Sequence, residues 1–277
     1  MPTLAGTRCD MATLVVYYLL ILALITVGAA AGGPDSVTWL VLPVGLIAVV
    51  FQRYAHHEPL RELGFRWPRP IHLGEAVLLP VAVTAAVVLF DVAMGWLEVP
   101  PLETVPHPLD PGRRGISPAG LAGVLALSAA VTCAGALVTE ELAFRGYLIT
   151  RLRRRGALFA LLASAVMFGL WHLPPSLFFL HGEWAVRTVY FIDITLLGVV
   201  LGSLFLRSGS LLPCALLHGV WNALDYTFFG FGDTPGILPG ASRVLFDPDE
   251  GIAGTLFLLI AAGWSVGRGL QAGHGRR

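Results

Sequence analysis

Apolar stretches of membrane-spanning length recur along this chain, and no other feature limits its fold so strongly. A helix crossing the hydrocarbon core needs about 20 apolar residues, with a range of roughly 17 to 25. Such stretches lie near residues 13–32, 36–52, 73–90, 117–140, 157–173, 186–206, 210–228 and 251–267. In lipid every backbone polar group must be bonded inside its own segment, so runs of this kind read as helices. The expectation is an all-α polytopic membrane protein: one integral-membrane domain over 1–277, built as a bundle of about eight transmembrane helices. Only 13% of the residues are charged and the mean hydropathy is +0.74, whereas soluble domains carry roughly 25% charged residues.

Charge placement supports the count and gives an orientation. All 18 basic residues are Arg, a usage that points to a GC-rich bacterial genome. With an even number of spans, Arg8, Arg53, Arg61, Arg66, Arg69, Arg151, Arg153, Arg154, Arg155, Arg207, Arg268, Arg276 and Arg277 share one face. Arg113, Arg114, Arg187 and Arg243 take the other, and Arg145 stays within the membrane. The positive-inside rule then puts both termini in the cytoplasm of a multi-pass cell-membrane protein. A net charge of zero lacks the basic footprint that nucleic acid requires. Cys9, Cys133 and Cys214 show no metal-like or paired spacing; the last two fall in apolar runs and read as small hydrophobes. The first run reads as a retained anchor, and the terminal GHGRR is not a prenylation box.

Ionisable residues inside such runs are the candidates for chemistry, because a charge in hydrocarbon is costly unless paired or functional. Glu140 and Glu141 close the fourth run, with Arg145 one turn on. Glu141 and Arg145, four apart, share a helix face in the favourable acid-first order, whereas Glu140 points about 100° away. This makes Glu141 the structural partner of Arg145 and Glu140 the chemical group; the plainer alternative is that both serve packing or topology. His172 follows Phe168 by four in the fifth run. If the turn centres on Gly156, Glu140 and His172 each stand 16 residues from it, roughly 24 Å along antiparallel neighbours, and can meet. His218 and Asn222 share a face of the seventh run, a donor pair suited to a developing oxyanion or, more plainly, to an interhelical hydrogen bond. Asp193 and Asp225 stand level across the turn at Gly209 and read as polar glue or as site residues. Trp171 and Trp221 either line a chamber or simply pack, and Gly198-x-x-x-Gly202 permits close helix approach.

Taken in order, Glu140-Glu141-x-x-x-Arg145, Phe168-x-x-x-His172 and His218-x-x-x-Asn222 resemble the CAAX prenyl protease and bacteriocin-processing family of intramembrane proteases. The resemblance covers about residues 117–228, which would be the catalytic core. It implies an eight-helix bundle and a glutamate-activated water, with Glu140 as general base, His172 assisting, and His218 with Asn222 as oxyanion hole. Glu141 and Arg145 would hold the geometry. It also implies a peptide or protein C-terminus as substrate, with or without a lipid group, and no cofactor beyond the catalytic water. Two rivals remain: a zinc enzyme using Glu140, His172 and His218, and a non-catalytic membrane partner acting in bacteriocin immunity or sensor-kinase modulation.

Overall fold

The computed structural model describes residues 4–32, 34–179, 184–231, 234–238 and 251–274. His181, Arg243, Arg276 and Arg277 lie outside them. Eight helices form among the described residues: α1 (Leu4–Gly32), α2 (Pro34–Val50), α3 (Pro70–Ala93), α4 (Pro118–Arg155), α5 (Ala157–Phe179), α6 (Trp184–Ser208), α7 (Leu211–Phe228) and α8 (Ile252–His274). Each coincides with one of the expected runs. Two short antiparallel hairpins occupy loops: β1 (Pro106–His107) with β2 (Asp110–Arg114), and β3 (Gly230–Phe231) with β4 (Thr234–Pro235).

Among the described residues, six helices are long and apolar enough to cross a membrane; α2 and α7 are not counted with them. In α2 the described apolar stretch is Val41–Ala55, with a π-wound last turn, Phe51–Ala55. For α7 the reason is polarity, since His218, Asn222 and Asp225 interrupt it. That polarity is tolerated because α7 packs against α3, α4 and α6, and irregular or polar groups at membrane depth survive only where protein or a water-filled cavity surrounds them. Around this centre the other helices turn apolar side chains outward: Leu19 and Val27 on α1, Leu78 and Leu89 on α3, Val131 on α4, Leu259 and Ile260 on α8 are all exposed. The outward apolar surface is what a lipid environment requires of a multi-pass protein.

Because lipid is as apolar as Leu, helix association in a bilayer rests on close packing. Gly198 and Gly202 do what their spacing suggested: a Cβ on Gly198 would fall 3.0 Å from Ala165 Cα, and one on Gly202 would fall 2.7 Å from Leu161 Cδ1, so α5 and α6 touch there. The α4–α5 and α6–α7 turns centre on Gly156 (φ +119°) and Gly209 (φ +65°), in a region that Gly enters without steric cost.

One feature of α4 departs from the α-helical geometry assumed above. It runs unbroken to Arg155, as expected, but Leu137–Ile149 are π-wound, with hydrogen bonds five residues apart instead of four. From Glu141 to Leu152 every residue is buried, so packing from all sides supports a winding that seldom exceeds a single turn. α2 presses on this stretch closely enough that a Cβ on Gly45 would overlap the Val138 carbonyl.

Candidate active site

Three helices bring the polar residues together. The π-wound part of α4 carries Glu140, Glu141 and Arg145, α5 carries His172, and α7 carries His218 and Asn222. α7 can approach α4 because residue 219 is Gly: a Cβ there would lie 2.5 Å from the Cys133 backbone nitrogen. Thr132 Oγ1 ties the contact by donating to the Gly219 carbonyl at 2.8 Å.

Glu140 Oε2 faces His218 Nε2 at 3.6 Å and His172 Nε2 at 3.8 Å. The level reached by counting from Gly156 therefore holds, and the side chain of Glu140 turns into the bundle. Neither separation is a direct hydrogen bond, and the buried Oε2 atom has no hydrogen-bond partner among the described residues. A gap of this size between polar groups is one that a water can bridge. The Glu140 and His172 side chains are 17% and 15% exposed, so the centre is sheltered without being sealed.

The other nitrogen of each imidazole is committed. His172 Nδ1 lies 2.8 Å from the Phe168 carbonyl; a carbonyl can only accept, so Nδ1 carries the proton. His218 Nδ1 lies 2.8 Å from Glu141 Oε1, which also accepts from Arg145 Nη1 at 3.1 Å. An ion-paired carboxylate likewise accepts, so His218 carries its proton on Nδ1 too. Both Nε2 atoms thus present lone pairs toward Glu140 in the neutral rings. For His218 Nε2 to donate, the ring must hold both protons.

Glu141 and Arg145 form the expected pair, 0% and 1% exposed, and Glu141 does more than the spacing revealed, since it also orients His218. Phe168 is the shared wall. Its ring lies 4.2 Å below the Arg145 guanidinium, 4.5 Å from the His172 ring and 6.1 Å from that of His218. Asn222 stands half-buried one turn beyond His218 on α7. Trp171 and Trp221 are buried; Trp171 donates to the Ile21 carbonyl of α1, and its ring lies 5.0 Å from that of His172. Asp193 accepts from Thr255 Oγ1 of α8 at 2.5 Å, the role of polar glue, and Asp225 is buried near the far end of α7. Cys214 is buried and Cys133 half-buried, both as free thiols.

The helix ends carry further polar residues that spacing alone did not mark. Glu58 accepts from Arg151 and from Arg154 (2.9 Å), while Arg151 also donates to Gln52 at 2.6 Å. The bonded Arg151 guanidinium, with Arg154 beside it, holds the Glu58 carboxyl down at about 2 against an ordinary 4.5. His56 Nε2 and Tyr147 Oη share a hydrogen bond at 2.8 Å. These contacts strap the α2–α3 connector across the Arg-rich end of α4.

Fold and site together define a multi-pass membrane protein with a carboxylate and two imidazoles converging inside its helix bundle. Residues 122–224, from α4 into α7, match the family model described as Type II CAAX prenyl endopeptidase, Rce1-like, the family that the three motifs resemble. The matched segment contains all seven motif residues. No curated protein matches the chain.

Proposed function

We propose that this protein is an intramembrane endopeptidase that hydrolyses a peptide bond in a membrane-associated peptide or protein. The observation that carries this reading is the convergence of two imidazole Nε2 atoms on Glu140 Oε2, at 3.6 and 3.8 Å, within a segment matched by a CAAX endopeptidase family. A water between them gives one proton to the Glu140 carboxylate, and His172 Nε2, fixed by the Phe168 carbonyl, orients it. The hydroxide attacks the scissile carbonyl. His218, carrying both ring protons and anchored by Glu141, stabilises the oxyanion together with the Asn222 amide. Glu140 then returns its proton to the departing amine. Glu141 and Arg145 act through His218 as positioning residues. The charge asymmetry supports cytoplasmic termini.

The substrate is identified by comparing secreted and membrane peptides from cells carrying wild type and Glu140→Gln. A peptide that lengthens or disappears in the variant names it. If no peptide changes and purified Glu140→Gln cleaves as well as wild type, the proposal fails, and a phenotype that survives the substitution supports the non-catalytic partner instead. A zinc-dependent form of the same hydrolysis would draw on Glu140, His172 and His218. Among the described residues, no three His, Cys, Asp or Glu side chains form a group that could hold a metal ion. Activity lost to a chelator and restored by zinc would decide for the metal.

A further inference from the structure

We propose that the Arg-rich end of the α3–α6–α8 junction, away from Glu140, binds the phosphate of an anionic lipid headgroup. At its centre Glu75, whose side chain is 5% exposed, accepts from Arg207 Nη1 at 2.8 Å, from Arg207 Nη2, and from Arg268 Nη1 at 2.9 Å. Two guanidiniums on one carboxylate leave a surplus positive charge at the edge of the bilayer. Arg69, exposed at the N-cap of α3, adds another. His72 lies one turn before Glu75, buried, and the charges of Arg207, Glu75, Arg69 and Arg268 all act on its ring.

Buried polar atoms stand unpartnered here. Among the described residues, Arg207 Nε and His72 Nδ1 are buried with no hydrogen-bond partner, and a buried polar atom without a partner is costly. The N-terminus of α3 adds the positive end of a 24-residue helix dipole. A phosphodiester, with one negative charge and several acceptor oxygens, matches this combination. Basic pockets between transmembrane helices bind anionic headgroups by this means.

A free phosphate ion shares that chemistry; the surroundings favour the lipid. Arg268 is partly exposed and its guanidinium lies 4.7 Å from the Trp264 ring, itself exposed. Ile260, Trp264 and Arg268 follow at spacings of four on α8, so an exposed apolar stripe runs straight into the guanidinium. Acyl chain along the stripe and phosphate at its end is the arrangement expected at headgroup level, where Trp is enriched.

The full-length protein in detergent is titrated with phosphatidylglycerol, phosphatidylcholine and inorganic phosphate, with Tm and native mass spectrometry as readouts. Phosphatidylglycerol is expected to raise Tm and persist as a bound adduct, and the two controls are not. Arg69→Gln should weaken the adduct about fivefold and Arg69→Gln/Arg268→Gln more than tenfold, from the contribution of each basic residue near a charged headgroup. Equal binding of both lipids, or phosphatidylglycerol binding unmoved by these substitutions, overturns the proposal, and an equal shift with inorganic phosphate overturns the lipid assignment. Should the double variant fail to fold, Arg69→Gln alone leaves the Glu75 bonds intact and must still lower the affinity.

Discussion

Removing the Glu141 carboxylate should do two separable kinds of damage. At 3.1 Å from Arg145, with both side chains essentially fully buried, the charge pair is worth about 5 kcal/mol at an effective dielectric of 20. Desolvation offsets part of this in the intact pair, but Glu141→Ala removes the attraction and leaves Arg145 buried against the Phe168 ring without its carboxylate. A loss of about 3–5 kcal/mol is expected, read as a lowered midpoint in reversible unfolding from micelles. Arg145→Ala should lose a similar amount. Glu141→Leu/Arg145→Met, which removes both charges and keeps the volume, should recover much of the stability, because no charge is stranded. It should not recover turnover, since His218 Nδ1 has lost its acceptor. A Glu141→Ala variant within about 1 kcal/mol of wild type would refute the energetic reasoning. Full activity in the double variant would refute the positioning role of Glu141.

Other expectations follow from the same geometry. Glu140→Gln should lower cleavage by about 10²–10⁴-fold, the range for a general base, with unfolding almost unchanged; single-turnover kinetics on a fluorogenic peptide measures the first and thermal unfolding the second. Asn222→Ala should cut kcat by about 10²–10³-fold with little change in KM, and an unaltered kcat removes it from the oxyanion hole. Glu58 is held at about 2 by Arg151, so its folded-state pKa is depressed. Its contribution is present above pH about 4.5 and fades as pH falls toward 2. The Tm gap between wild type and Glu58→Gln should therefore be widest near neutrality and close across that acid range. Gly219→Val should push α4 from α7 at Cys133, lowering both Tm and turnover.

The eight helices were legible because membrane-length apolar runs leave a chain few choices. Equal distances from Gly156 were enough to bring Glu140 and His172 together. What stayed hidden depended on contacts between distant parts of the chain. The bond from His218 to Glu141 joins residues 77 apart, and spacing within either helix gives no sign of it. The same holds for the pairing of Glu75 with Arg207 and Arg268, and of Glu58 with Arg151, whose partners lie far apart in the chain. The π-winding was hidden for another reason: no residue in LVTEELAFRGYLI forbids the ordinary helix, and the packing of α2 and the connector accompanies the wider one. Trp171 is a further case of distant contact, since its bond to the Ile21 carbonyl joins α5 to α1 across 150 residues.

The loosely wound thirteen residues of α4 hold one more amide in each hydrogen-bonded ring than a tight helix would. Slack of that kind can be taken up. Deleting a single residue between Leu137 and Glu140 would let the rod draw in, and everything downstream would swivel relative to His172. Register along α4, beyond the identity of any one side chain, is therefore a handle by which the centre could be detuned while its chemistry stays written in the chain.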